Sequence, residues 1–199
     1  FGLYLNHYKN MSVPLPKVAS NTMPNIIALC EQLVPNGKPL YLNVEPVNGV
    51  VENECYKNVE SMIKNNGGSI QYGWQIWETI PDLMAEAEFH AVWIDSKGTL
   101  HDVTPKSLPG INRILFLPDP LRKYLGKQID NVRIPLRDEV LIQQFIKNAE
   151  KYFEATNQGD LADYHGYIIA DSDSEIKKLL KEKNEIFIKI IQKFFPEIN

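Results

Sequence analysis

Three residue types that together perform nucleophilic acyl chemistry fall in order within one stretch of the chain. Cys55 opens the segment CYKNVESMIKNNGG, His90 lies in AEFHAVWI, and Asp102 lies in TLHDVTP. A cysteine thiolate is a nucleophile, a histidine within reach is its general base, and a carboxylate holds the imidazole in place. Such a set attacks carbonyl carbon and passes through a thioester. A free thiol, of pKa about 8.5, is only a few per cent ionised at neutral pH. The first turn of a helix presents unpaired N–H groups and the positive end of the dipole, which favour an anion there. With a neighbouring imidazolium, such features bring reactive thiols down to about 3.5–7.5.

The surrounding chain supplies the elements that would position these groups. Asn53 reads as an N-cap, a helix runs from about Glu54 to Asn65, and Gly67-Gly68 stop it. Cys55, Val59, Met62 and Ile63 fall on one stripe, so the thiol faces inward in the first turn. SIQYGWQIWE alternates as a strand, with Ile70, Tyr72, Trp74 and Ile76 on one face. A loop at Pro81-Asp82 leads to a strand from about Glu86 to Ile94. The turn Asp95-Ser96-Lys97-Gly98 and a strand from Thr99 to Thr104 follow.

A three-residue loop with Gly98 left-handed registers Asp95 with Thr99, Val92 with Asp102, and His90 with Thr104. Alternation then puts His90, Val92, Asp102 and Thr104 on one face, with His90 and Asp102 diagonal neighbours. A two-residue turn would put the pair on opposite faces, so the arrangement depends on Gly98. His101 points the other way, toward the surface.

Gln71, Gln75, Asn53 and Asn43 are the candidate donors to an oxyanion, and Gln75, between Trp74 and Ile76, is the first choice. Trp74, Trp77 and Trp93 either line a cleft or fill a core. Cys30, beside Ile26, Ile27 and Leu33, reads as a packed core thiol. No metal-ligand spacing surrounds His90 or His101, and His7 and His165 lack a motif. Neither a metal nor a cofactor is expected.

The chain's 199 residues, 44% hydrophobic and 10% aromatic, imply one folded domain. It divides into an irregular N-terminal part (1–53), the motif-bearing core (54–106), a proline-broken loop region (107–137) and a helical C-terminal part (138–199). A helix is expected from about Asn25 to Val34, an extended run from about Leu40 to Val44, and a strand at RILFLP. Two amphipathic helices follow, from about Asp138 to Thr156 and from about Ser174 to Phe195, the second introduced by the capping pattern Ser172-Asp173-Ser174-Glu175. The apolar stripe of the first comprises Val140, Leu141, Phe145, Ala149, Tyr152 and Phe153. Packing is the expected role of both. Met11 is a candidate start, which would make FGLYLNHYKN an extension.

Charge is uneven. Nine acids face three lysines between Glu52 and Asp102, whereas six bases face two acids between Arg113 and Arg137. An acidic candidate site disfavours phosphate-rich ligands and favours amine-bearing ones. Nucleic acid is disfavoured, because no basic stripe carries interleaved aromatics. No apolar run reaches the ~20 residues of a membrane span. Two cysteines make no disulfide framework, which fits a reduced, cytoplasmic setting and leaves secretion open. Oligomeric state is not legible.

At EFHAVWIDSKGTLHDVTP the chain resembles the transglutaminase-like branch of the papain-like thiol enzymes. His90-Ala91-Val92-Trp93 and Asp102-Val103-Thr104-Pro105 carry the resemblance, with Cys55 at the start of the upstream helix. Protein N-terminal glutamine amidohydrolases are similar in having Cys-Tyr near an Asn-Val on the first helix, here Cys55-Tyr56 and Asn58-Val59, and an acidic-aromatic pair before the histidine, here Glu88-Phe89. The likeness covers about residues 50 to 106. It implies an α+β fold, a nucleophile helix packed on a small antiparallel sheet, and a Cys55–His90–Asp102 triad. It also implies cleavage of a glutamine-type amide or peptide bond in a protein, peptide or small amide, or transfer of the acyl group to an amine. A non-catalytic interaction module on the same fold is the alternative.

Overall fold

The computed structural model describes residues 13–108, 110–157 and 174–198. In chain order these form β1 (Lys17–Val18), α1 (Pro24–Leu33), β2 (Leu40–Asn43), α2 (Cys55–Asn66) and β3 (Ser69–Ile80). β4 (Met84–Ile94), β5 (Leu100–His101), β6 (Arg113–Pro118), β7 (Val132–Pro135), α3 (Val140–Thr156) and α4 (Ser174–Phe194) follow, with a short 3-10 turn at Pro196–Ile198. The fold is α+β, built on a seven-stranded antiparallel sheet. Among the described residues no helix is long and apolar enough to cross a membrane. Residues 172 and 173 of the proposed cap, the first ten residues, His7 and His165 lie outside the described residues.

The sheet runs β2-β6-β3-β4-β5, with β1 also on β3 and β7 also on β4. Its spine is the β3–β4 hairpin, in register from Ser69↔Ile94 to Glu78↔Ala85. A lone parallel bridge, Val44 with Asp102, ties the end of β2 to the chain just beyond β5. This curls the two ends of the sheet toward each other and fixes the backbone of Asp102, whose carbonyl accepts from Glu45 N–H at 2.8 Å.

Both faces of the sheet are covered. On one, α1 lays Ile26, Leu29, Cys30 and Leu33 against Trp74, Ile76, Leu115 and Leu117. Inside the curl, Leu42, Trp77, Val92, Ile114 and Phe116 form a second cluster. Beyond the β3–β4 turn, Ile80, Leu83 and Met84 meet Ile142, Phe145 and Ile146 of α3 and Phe187, Ile190 and Ile191 of α4. The stripe of α3 is therefore phased differently from the sequence reading. Val140 is 67% exposed, and Ile142 and Ile146 carry the packing instead.

The β4–β5 turn has the expected register. Trp93 pairs with His101 and Ile94 with Leu100, Asp95 N–H donates to Thr99 O at 3.0 Å, and Gly98 is left-handed at φ 83°. Gly73 has a different role. It faces His90 in the ladder, and a Cβ there would stand 2.3 Å from the Leu117 carbonyl oxygen and 2.6 Å from the Phe116 ring. Only glycine lets β6 approach so closely beneath the histidine.

Candidate active site

Between Ala87, where β7 stops, and Trp93, where β5 begins, no described strand covers the outer edge of β4. The start of α2 fills this gap. Tyr56 O–H donates to the edge carbonyl of Phe89 at 3.4 Å, and Cys55, Val59 and Met62 pack on Ala91 and Val103. Helix and strand edge thus bring Cys55, 8% exposed, to His90, 3% exposed.

Asn53 does not cap the helix. Glu54 occupies the N-cap position and no side chain caps the first turn; the first intrahelical bond runs from Asn58 N–H to Glu54 O at 2.9 Å. The N–H groups of the first turn, that of Cys55 included, therefore have no partner within the helix. Asn53 instead takes φ 62°, a left-handed conformation that asparagine tolerates. The preceding turn is held by buried Asn58, which accepts from Val51 N–H at 2.9 Å and donates to Val51 O at 2.7 Å and Thr104 Oγ1 at 3.2 Å.

His90 Nε2 lies 3.0 Å from Asp102 Oδ1, and the same oxygen accepts from Thr104 N–H at 3.2 Å. With Nε2 committed, Nδ1 is the ring atom left for the thiol. Cys55 and His90 share one slot without a hydrogen bond between them. Lys106 Nζ stands 2.7 Å from Asp102 Oδ2, off the line of an ideal hydrogen bond, with its side chain only 9% exposed. Lys106 also donates to Gln75 Oε1 at 3.2 Å, and Gln75 Nε2 donates to Glu88 Oε2 at 2.6 Å. A continuous polar chain therefore runs His90–Asp102–Lys106–Gln75–Glu88.

Burial and the Lys106 ammonium both push the His90 imidazolium toward losing its proton. The Asp102 carboxylate, the Cys55 thiolate and the hydrogen bond to Asp102 outweigh them and raise His90 to about 9. Burial likewise opposes the ionised Asp102, yet the charges and hydrogen bonds of His90 and Lys106 hold it below the usual carboxylate range. Cys30 lies in an apolar cluster, and burial pushes its thiol up to about 11.

Two openings meet at Cys55. A narrow slot of about 70 Å³ is walled by Gln75, Trp77, Glu88, His90, Thr104 and Lys106. A broad cleft of about 580 Å³ passes Glu88 and Phe89 to Tyr124, Arg133, Tyr152 and Lys183, a size that accepts small molecules or a peptide segment. Asn53, Cys55, Glu88 and Phe89 border both. Of the residues picked from sequence, Cys55, His90, Gln75 and Asn53 come together here, with Asp102 behind His90.

Trp74 does not belong to the site. The alternation that puts Gln75 and Trp77 on the slot turns Trp74 to the other face, fully buried against α1's cluster, where its Nε1–H donates to Asp119 Oδ2 at 3.2 Å. Trp93 ties its Nε1–H to Gly67 O at 2.9 Å, across the end of α2. His101 pairs with Glu45 at 2.8 Å and Asp95 at 3.3 Å, away from His90. Lys106 was not singled out from sequence and sits in no motif that marks it, and Glu88 stood out only as half of the acidic-aromatic pair before His90. The C-terminal helices do more than pack, since Tyr152, Phe153 and Lys183 form part of the cleft wall. No family, curated protein or solved structure matches the chain.

Proposed function

We propose that the protein is a cysteine-dependent acyl-transfer enzyme that cleaves an amide bond through a thioester, on a papain- or transglutaminase-like arrangement of helix and sheet. The observation that carries this reading is the buried His90–Asp102 pair, at 3.0 Å, beside a helix-start thiol where slot and cleft meet. His90 takes the Cys55 proton on Nδ1, and the thiolate adds to the substrate carbonyl. The negative charge that develops on the carbonyl oxygen is met by the N–H groups of the first turn of α2 and by the amide hydrogen of Gln75 not given to Glu88. The imidazolium returns its proton to the departing amine as the C–N bond breaks, leaving an acyl group on sulfur. Water then adds to the thioester, His90 accepts its proton, and the acid departs as the thiol is restored. Asp102 fixes the ring and balances its charge throughout, and Lys106 holds Asp102.

Acylation by p-nitrophenyl acetate tests the proposal without knowledge of the natural substrate. The acetyl group should move to Cys55 with release of p-nitrophenolate, and peptide mass mapping should find it on Cys55 and not on Cys30. Loss of the release burst in Cys55→Ala supports the enzyme. A non-catalytic module would show no acetyl group on Cys55, with any label confined to surface lysines.

A further inference from the structure

Three of the cations around the two openings pair with carboxylates, and a fourth, Lys183 in the far wall of the cleft, lies over the Phe145 and Tyr152 rings. Lys57 pairs with Glu54 at 3.0 Å, Arg133 with Glu86 at 2.9 Å and Asp130 at 3.1 Å, and Lys106 with Asp102 at 2.7 Å. Glu88 is different. It borders both slot and cleft beside Cys55, yet among the described residues its only side-chain partner is the neutral amide of Gln75, at 2.6 Å. That bond occupies Oε2 and sets the carboxylate's orientation, and among the described residues no cation pairs with it directly; the Lys106 ammonium reaches it only through Gln75. The cleft wall alongside carries Tyr56 and Tyr124, stacked at 3.8 Å and 4°, and an aromatic wall attracts cations as well.

We infer that Glu88 is a specificity-determining residue that binds a protonated amine on the acyl substrate, a few atoms from the carbonyl that Cys55 attacks. This rests on the proposed function of Cys55. A carboxylate in a partly enclosed site attracts a cation more strongly than one in open water, because the surrounding dielectric is lower. An anionic or phosphorylated substrate would meet the same charge as repulsion. Within the polar chain that begins at His90, Glu88 is the member that borders the cleft as well as the slot, so one polar chain orients the base and selects the substrate.

Matched methanethiosulfonates test this directly. Each transfers its alkylthio group to the Cys55 thiolate and releases methanesulfinate, while the attached group is trimethylammonium-ethyl, sulfonato-ethyl or neutral methyl. Rates at Cys55 are followed by intact mass and normalised to those of 2-mercaptoethanol. The cation-to-anion rate ratio should exceed that of the free thiol by about tenfold or more. Glu88→Gln keeps an acceptor for Gln75 and removes the charge, so the ratio should fall at least about threefold. Glu88→Asp should keep most of the selectivity, and the neutral reagent reports that the slot is intact in each variant. A ratio that matches the free thiol, or one that Glu88→Gln leaves within about threefold, overturns the assignment of Glu88. A Cys55 that reacts with none of the three reagents overturns the proposed function instead.

Discussion

Lys106 Nζ sits 2.7 Å from the one oxygen of Asp102 that His90 does not use. The carboxylate is fully buried and is shared between the imidazole proposed as the general base and the Lys106 ammonium. Removing the ammonium leaves a buried carboxylate short of one partner, so Lys106→Gln should cost about 3 kcal/mol of stability. It should also move the alkaline limb of the pH–rate profile upward, because Lys106 opposes the protonated ring. Lys106→Arg keeps the charge and should shift the limb less. A Lys106→Gln enzyme with an unchanged limb would reduce Lys106 to a packing residue.

His90 is raised to about 9 from an ordinary 6.5, and the sign of the consequence is fixed. The folded state binds this proton more tightly than the unfolded chain does. The resulting stability is fully present below about 6.5 and is lost as pH rises through about 9, and it is of the order of 3 kcal/mol. In the proposed mechanism turnover needs the imidazolium to protonate the leaving amine, so it should fall over the same limb near 9. Asp102→Asn removes the carboxylate that raises the ring, so the limb should drop toward 6.5 and turnover should fall by at least about tenfold. Denaturant melts across pH, paired with rate profiles, check both.

Two glycines should separate packing from turn strain. Gly73→Ala forces a Cβ against backbone and ring beneath His90 and should cost about 3 kcal/mol or more, lowering activity with stability. Gly98→Ala meets nothing within 4 Å and should cost only about 1 kcal/mol, from the left-handed backbone. Thermal melts that rank the two the other way would contradict the close approach of β6.

What the sequence made legible was local. The register that places His90 beside Asp102 follows from a short turn and Gly98, and the span of α2 follows from an apolar stripe ended by Gly67, although Glu54 and not Asn53 stands at its N-cap. Whether Trp74 lines the cleft or fills the core was not legible because β3 is buried on both faces, so hydrophobic alternation does not tell slot from core. Lys106 reaches Asp102 from an irregular segment with no period to read. β1 and β7, two and four residues long, exist through pairing with distant strands. The cleft has the same non-local origin, since its far wall comes from the loop around Tyr124 and from α3 and α4.

The central claim is that Cys55 and His90 act as one unit, and iodoacetamide tests it most directly. Cys30, held at about 11 by burial, stays silent near neutral pH, so intact mass reports Cys55 alone. At about pH 6 the wild-type chain should be alkylated faster than a free thiol, and His90→Ala should lose about tenfold or more of that rate, since the imidazolium that favours the thiolate is gone. Equal rates in the two proteins at that pH would show that the ring does not act on the sulfur, and would contradict the account.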